Sequence, residues 1–145
     1  MNPDPPPERD YAKAILNGAK LRFADLGRAD LYQARLDGAV LVGTNLIGSD
    51  LTSARLNGAI LERAKLFRAV LVDAQFGMAR LTKASLLDAN LANANLTGAR
   101  LEQAMLGGAD LSTARGLTQE QLNSAFGDKN TKIPERFTRP GHWSE

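Results

Sequence analysis

The chain has no cysteine, which excludes disulfides and thiolate metal sites. Its single histidine, His142, stands three residues from the C-terminus beside Trp143, and a histidine so placed is read as inert rather than catalytic. Aromatic residues are scarce at 6%, and neither sign of charge dominates, with 18 basic residues against 16 acidic. No apolar run is long enough to span a bilayer. The opening Met1-Asn2-Pro3-Asp4-Pro5-Pro6-Pro7 lacks the charged-then-apolar pattern of a secretion signal. These absences set the expectation of a cytoplasmic protein that makes no membrane contact. Proline is rare after the start: four of the six lie in residues 1–10, which read as an extended tail unable to join a sheet ladder.

What fills the rest is one five-residue phrase, repeated twenty times without a break from Ala14 to Thr113. The central site is Leu in nineteen units and Phe in one, Phe76. The site two residues earlier is Ala in eighteen, with Thr44 and Ser49 the exceptions. The lateral site between them and the two corner sites after the Leu accept almost anything. A helix would leave successive Leu roughly 140° apart, so they would never form a stripe. A flat strand, with its period of two, would send residues five apart to opposite faces. The phrase fits a short extended piece followed by a corner, so that each Ala/Leu pair points inward again. Such a chain winds into a tube, an all-β solenoid whose stacked units share one core.

A weaker period shows how many units make one coil. Gly18, Gly38, Gly58 and Gly98 are separated by multiples of twenty, as are Ile47, Phe67 and Leu87. Twenty residues are four units, so the coil is square and residues 14–113 make about five coils, a rod on the order of 24 Å long. Thr44 and Ser49, which replace consecutive inward Ala, are expected to bond nearby backbone through their hydroxyls. Upstream, Tyr11 falls in register with the central sites although Arg9 stands where Ala should. Either residues 9–13 are a degenerate unit beginning to lid the N-terminal end, or the register is chance; residues 1–13 are assigned to the tail.

The phrase, as in Ala24-Asp25-Leu26-Gly27-Arg28 and Ala109-Asp110-Leu111-Ser112-Thr113, resembles the pentapeptide-repeat family. The resemblance implies a right-handed quadrilateral β-helix with four units per coil. The family prefers Asp or Asn at the lateral site, and Arg35, Val40, Ile60 and Val70 depart from that preference on the surface rather than in the core.

Residues 114–145 break the repeat. Thr118 is placed to N-cap a helix, Gln121 to close a capping box, and Leu117 with Leu122 to form a hydrophobic staple. A short helix over about residues 119–126 follows, with Leu122 and Phe126 on one face and Gly127 at its stop. It is expected to sit over the open C-terminal end, blocking that edge. Ile133, Phe137 and Trp143 then pack along the rod as an irregular strap. Leu117-Thr118, Gln121-Leu122, Gly127-Asp128, Thr131, Pro134, Pro140 and His142-Trp143 resemble a C-terminal extension of some bacterial family members, which implies a cap and no activity.

The sequence carries no sign of an enzyme. Asp25/Asp30 and Asp30/Asp50 lie on a convex wall open to water, no Gly-rich phosphate loop precedes a helix, and a filled tube holds no interior pocket. No cofactor or metal is expected. The outward sites say more. Val40, Val42, Ile47, Ile60, Phe67, Val70, Val72 and Leu87 occupy positions meant for water, with Ile47, Phe67 and Leu87 stacked in one column. A contiguous apolar patch marks a contact surface, although β-branched residues also suit strand-like walls whatever their function. The expectation is a rigid scaffold that binds an as yet unidentified protein partner.

Some family members resemble duplex DNA and bind DNA gyrase, which implies a second possibility, a DNA mimic acting on gyrase or topoisomerase. Mimicry needs a strongly negative surface, and the repeat carries eleven basic against nine acidic residues. Direct nucleic-acid binding through Arg63, Lys65, Arg68, Arg80 and Lys83 is also disfavoured, since these lack interleaved aromatics and sit among acids. Gyrase-binding relatives dimerise end to end through their C-termini. The different C-terminal segment here leads to the expectation of a capped monomer or a weak homodimer.

Overall fold

Parallel bridges join lateral residues twenty positions apart, and at the C-terminal end Met105 to Phe126 and Asp110 to Lys132, in a computed structural model that describes residues 9–143. They form four columns. The first wall carries Asp10, Asp30, Asp50, Val70, Asn90 and Asp110; the second, Ile15, Arg35, Arg55, Gln75, Asn95 and Arg115. The third carries Lys20, Val40, Ile60, Arg80 and Arg100; the fourth, Asp25, Asn45, Lys65, Ser85, Met105 and Phe126. Coil-to-coil bonding repeats one pattern. The N–H of Leu36 donates to the Arg55 carbonyl at 2.7 Å, and the N–H of Arg55 donates to the Ala34 carbonyl at 2.9 Å. Within a unit, the next inward Ala donates back across the corner, as Ala39 does to the Leu36 carbonyl at 3.0 Å.

The corner itself is a backbone device. At all twenty second-corner sites from 13 to 108, φ is positive, between 56° and 68°. Positive φ at the third residue of a turn is the sign pattern of a type II turn, which favours glycine. Yet thirteen of these sites hold another residue, including Phe23, Arg63 and Lys83. Left-handed backbone costs an ordinary residue about 1–2 kcal/mol, so the neighbouring ladder bonds and the buried Leu must hold each corner in place. The lateral Asp and Asn residues help. The Oδ1 atoms of Asp25, Asp30, Asn45, Asp50, Asn90, Asn95 and Asp110 accept the N–H two residues on at 2.9 to 3.1 Å. This bond is an Asx-turn and gives a physical reason for Asp or Asn at that site.

Every central residue from Leu31 to Leu111 is at most 1% exposed, Phe76 included. Thr44 and Ser49 are fully buried, and their hydroxyls donate to the carbonyls of Leu21 and Leu46, each at 2.7 Å.

Two expectations about the ends need correction. Residues 10–13 belong to the ladder, not to the tail: Asp10 bridges Asp30, and the N–H groups of Tyr11 and Lys13 donate to the carbonyls of Asp30 and Tyr32, both at 2.7 Å. The proline-rich stretch 1–8 lies outside the described residues. At the other end, the helix α1 spans Gln119–Ser124 and stops short of 126. Its C-cap is Ala125 in extended backbone, because Phe126 leaves the helix to bridge Met105 and continue the fourth wall. Phe126 is therefore 49% exposed and does not share a buried face with Leu122. Gly127 is not the helix stop; the Trp143 ring packs so close that an added Cβ would lie 2.5 Å from it.

The start of α1 follows the sequence closely. Thr118 and Gln121 form the capping box, and Leu117 and Leu122 are both buried. Gln121 Nε2 also donates to the carbonyls of Leu96 and Ala99, both at 2.8 Å, so the helix is bonded to the last coil. Farther on, Lys132 bridges Asp110, and Ile133 and Phe137 pack against the core with Trp143 buried beside them. The Asp128 carboxylate accepts the N–H groups of Gly108 and Asn130 and the Thr131 hydroxyl. Burial pushes this carboxyl up, but those bonds outweigh it and hold the group below the ordinary carboxylate range.

A depressed carboxyl stabilises the fold above its unfolded pKa, about 3.9, and loses that contribution as pH falls through the lower folded value. Asp128→Asn is therefore expected to melt below the parent at pH 7, with the gap closing below about pH 4. Melting curves across that range check it, and a gap that stays constant with pH would refute the charge-linked account.

Candidate interaction surface

Stacking fixes where the outward apolar residues lie. On the fourth wall, the Arg28 N–H donates to the Ile47 carbonyl at 2.8 Å, Gly48 to Phe67 at 2.9 Å and Arg68 to Leu87 at 3.0 Å. Ile47, Phe67 and Leu87 thus form one column along the rod. Val40 and Ile60 bridge each other on the third wall, with Val42 on the corner that leads to the fourth. Val70 and Val72 lie on the first wall, which follows the fourth. The eight residues therefore span three adjoining walls.

They are less open than a scattered set would be. Ile47 and Val70 are exposed, at 38% and 37%, and the other six are half-buried. Side chains stacked one coil apart, about 4.8 Å, cover part of each other. The Arg68 guanidinium lies 5.0 Å from the centre of the Phe67 ring. Below Leu87 the column meets Gly107, where a Cβ would come within 3.1 Å of the Leu87 Cδ2. Leu87, Met105, Gly107, Phe126, Gly127 and Asp128 then line a shallow recess of about 170 Å³. Met105 and Phe126, 41% and 49% exposed, extend the apolar surface toward the C-terminal end. Sequence reasoning missed both. Met105 was legible as an apolar lateral residue, whereas Phe126 was hidden by its assignment to the helix.

Side chains raised as chemical candidates have other tasks. Asp30 and Asp50 do stack, beside Arg28, but each carboxylate is engaged by its own turn. Among the described residues no cluster of His, Asp or Glu could hold a metal ion. His142 Nε2 lies 2.8 Å from the Ala125 carbonyl, which also accepts the Trp143 indole N–H at 2.9 Å, so the imidazole anchors the strap. Several basic side chains are paired: Arg80 with Glu62 at 2.9 Å, Arg55 with Asp37 at 3.3 Å and Arg100 with Glu102 at 3.4 Å. Arg63 and Lys83 share the third wall with Arg80, while Lys65 and Arg68 lie on the fourth. Among the described residues no helix is long and apolar enough to cross a membrane.

The family described as "Pentapeptide repeats" matches in eight copies, over residues 14–52, 45–82 and 74–112. The chain belongs to the pentapeptide-repeat family. Proteins of this family form right-handed quadrilateral β-helices and are generally structural or interaction proteins rather than enzymes. Among solved structures, the chain is similar to HetL, a pentapeptide repeat protein involved in heterocyst differentiation regulation in the cyanobacterium Nostoc sp. strain PCC 7120. Identity is 33% over 83% of this chain and 56% of HetL, with a TM-score of 0.66. A pentapeptide repeat protein of the Arabidopsis thaliana thylakoid lumen is 32% identical over 51% of each chain, with a TM-score of 0.50. The chain thus spans about half the length of these two relatives. The plasmid-mediated fluoroquinolone resistance protein QnrB1 shares 17% identity over 94% of this chain at a TM-score of 0.38, a likeness too slight to bear on function. A comparison with curated proteins finds no match.

Proposed function

We propose that this pentapeptide-repeat protein is a non-enzymatic, cytoplasmic scaffold that binds a protein partner through the outer walls of its β-helix. One observation carries the reading: the Ile47–Phe67–Leu87 column ends above Gly107 beside Met105 and Phe126, which share a recess with Leu87, giving an apolar tract along the fourth wall. Its flanks on the third and first walls are Val40, Val42, Ile60, Val70 and Val72. Apolar tracts rimmed by charged residues are the usual core of a protein contact. Residues 114–145 act in this reading as a cap on about five coils, leaving the walls as the working surface.

Replacing Ile47, Phe67 and Leu87 together by Ser is expected to leave the melting temperature within a few degrees of the parent and to abolish partner capture from a lysate. If the folded triple variant captures the same proteins as the parent, the walls used are others. The DNA-mimic alternative, binding gyrase or topoisomerase, is disfavoured by the eleven basic against nine acidic residues of the repeat. The lateral Asp residues that could imitate phosphates are also turned onto their own corners. Inhibition of supercoiling at stoichiometric protein would favour that alternative over the scaffold.

A further inference from the structure

The two ends of the tube differ. At the C-terminal end, all four walls of the last coil are answered. Arg115, Phe126 and Lys132 bridge Asn95, Met105 and Asp110, and Gln121 Nε2 and the Ser124 carbonyl bond the remaining wall through Ala99 and Gln103. At the N-terminal end backbone pairing answers only the first wall, through Asp10, while on the fourth wall the Arg9 guanidinium donates to the Gly27 carbonyl at 3.1 Å and pairs with the Asp25 carboxylate at 3.3 Å.

On the other three walls the rim residues are Ile15, Lys20 and Asp25. In their bridges to Arg35, Val40 and Asn45, the downstream residue supplies both the N–H and the C=O. The rim residues' own N–H and C=O groups point the other way, and among the described residues no backbone hydrogen bond reaches them. The core is open there as well. Leu16 and Leu21 are only partly buried, while Leu36 and Leu41, one coil on, are fully buried. Ile15, 72% exposed, stands on the rim.

The shape of this mouth selects its occupant. Each wall offers one bridging residue before the rim turns a corner. A straight peptide strand could therefore answer one wall and would then leave the rim. Only a chain that itself turns every fifth residue can answer all three, and a second copy is such a chain. Each rim residue presents its N–H and C=O together, which is what one member of an antiparallel hydrogen-bonded pair requires. A two-fold axis across the rod brings two such rims face to face, and two spiral rims of one hand mate along their slope.

We propose that the N-terminal mouth is a self-association surface and that two copies join head to head through Ile15, Lys20 and Asp25. The C-terminal end is already answered, so the contact closes at two and cannot propagate into a fibre. A wall of three extended residues is about 10 Å wide, so with side chains the contact covers on the order of 400 Å² per copy, the low end of specific interfaces. The dimer is accordingly concentration-dependent, dissociating in the micromolar range.

Sedimentation equilibrium of the full chain is expected to show monomer and dimer only. Lys20→Pro removes an N–H that bonds nothing in the monomer, and is expected to weaken dimerisation by about tenfold or more with the dilute-protein melting temperature unchanged. Because the chain has no cysteine, single spin labels at Arg22→Cys or Asn130→Cys report the orientation in an otherwise unaltered mouth. Head-to-head dimers place the Arg22 labels within about 30 Å and the Asn130 labels beyond about 50 Å. A chain that stays monomeric near millimolar concentration overturns the proposal. So does a short distance between Asn130 labels, or a folded Lys20→Pro variant that dimerises like the parent. Dimerisation that emerges only after residues 1–8 are deleted also overturns it, and assigns the mouth to the chain's own start.

Discussion

Leu56→Arg is expected to yield no folded protein. Leu56 is fully buried, with its N–H bonded to the Gln75 carbonyl at 2.7 Å, and its second-wall neighbours Leu36 and Phe76 are equally buried. A guanidinium there would meet side chains of Leu, Ala and Phe. The carbonyls around it are already engaged between coils, and no buried side-chain polar atom among the described residues lacks a partner. An unpaired buried charge costs several kcal/mol, and forcing extra atoms into a filled core adds about 1–3 kcal/mol. Against a total stability on the order of 5–15 kcal/mol, that removes the folded state or nearly so. Ala92→Arg, at a half-buried first-corner site on the outer surface, introduces the same side chain and is expected to shift melting by only a few degrees. Soluble yield and thermal melting compare the two. A Leu56→Arg protein melting within about 5 °C of the parent would refute the inward placement of the central residue.

Gly116→Ala is expected to loosen everything beyond the last coil. Gly116 links the Arg115 rung to the start of α1 and has a φ of +76°. A Cβ there would lie 2.7 Å from the Thr97 backbone nitrogen and 2.9 Å from its Cα, and neither atom can swing aside. The left-handed backbone costs about 1–2 kcal/mol and the overlap about 1–3 kcal/mol, so a loss of about 3 kcal/mol is expected. For a chain of this size that lowers the melting temperature by about 10 °C. Proteolysis should speed up within residues 117–143, where Leu117, Leu122 and Trp143 would lose their seat. Gly58→Ala separates the two causes. Its φ is +67° and nothing lies within 4 Å of the added carbon, so only the conformational cost of about 1 kcal/mol remains. Equal losses at both sites would show that the approach of Thr97 does not matter.

The core and walls were legible because five residues of sequence map onto one straight piece and one corner. Leu at the centre and Ala two before it can share an interior only if the chain bends between phrases. The capping box of Thr118 and Gln121 was legible because it is local chemistry. What could not be read there was the end of α1. Leu122 and Phe126 are four apart and suggest one helical face, but the exposed fourth-wall edge at Met105 outcompetes a further helical turn and draws Phe126 into a bridge. At the other end, Asp10 joins the ladder despite Arg9 in place of Ala, because the backbone pairing does not depend on that side chain. The apolar column was legible from twenty-residue spacing, and Met105 beside its end was legible as an apolar lateral residue, but the place of Phe126 depended on where α1 stops. Asx-turns at the lateral sites were not anticipated, since a residue variable in type gives no hint of a conserved bond geometry.

Because each coil closes after four phrases, the walls act as a register for insertions and deletions. Duplicating twenty residues, for example 54–73, would lengthen the rod by one storey and keep Ile47, Phe67 and Leu87 in line. Inserting a single phrase between Ile47 and Phe67 would fold just as well locally, yet turn everything downstream through a quarter circle and split the column across two sides. A lineage of such proteins can therefore change its reach freely in steps of twenty, whereas a step of five rewires which residues look in the same direction.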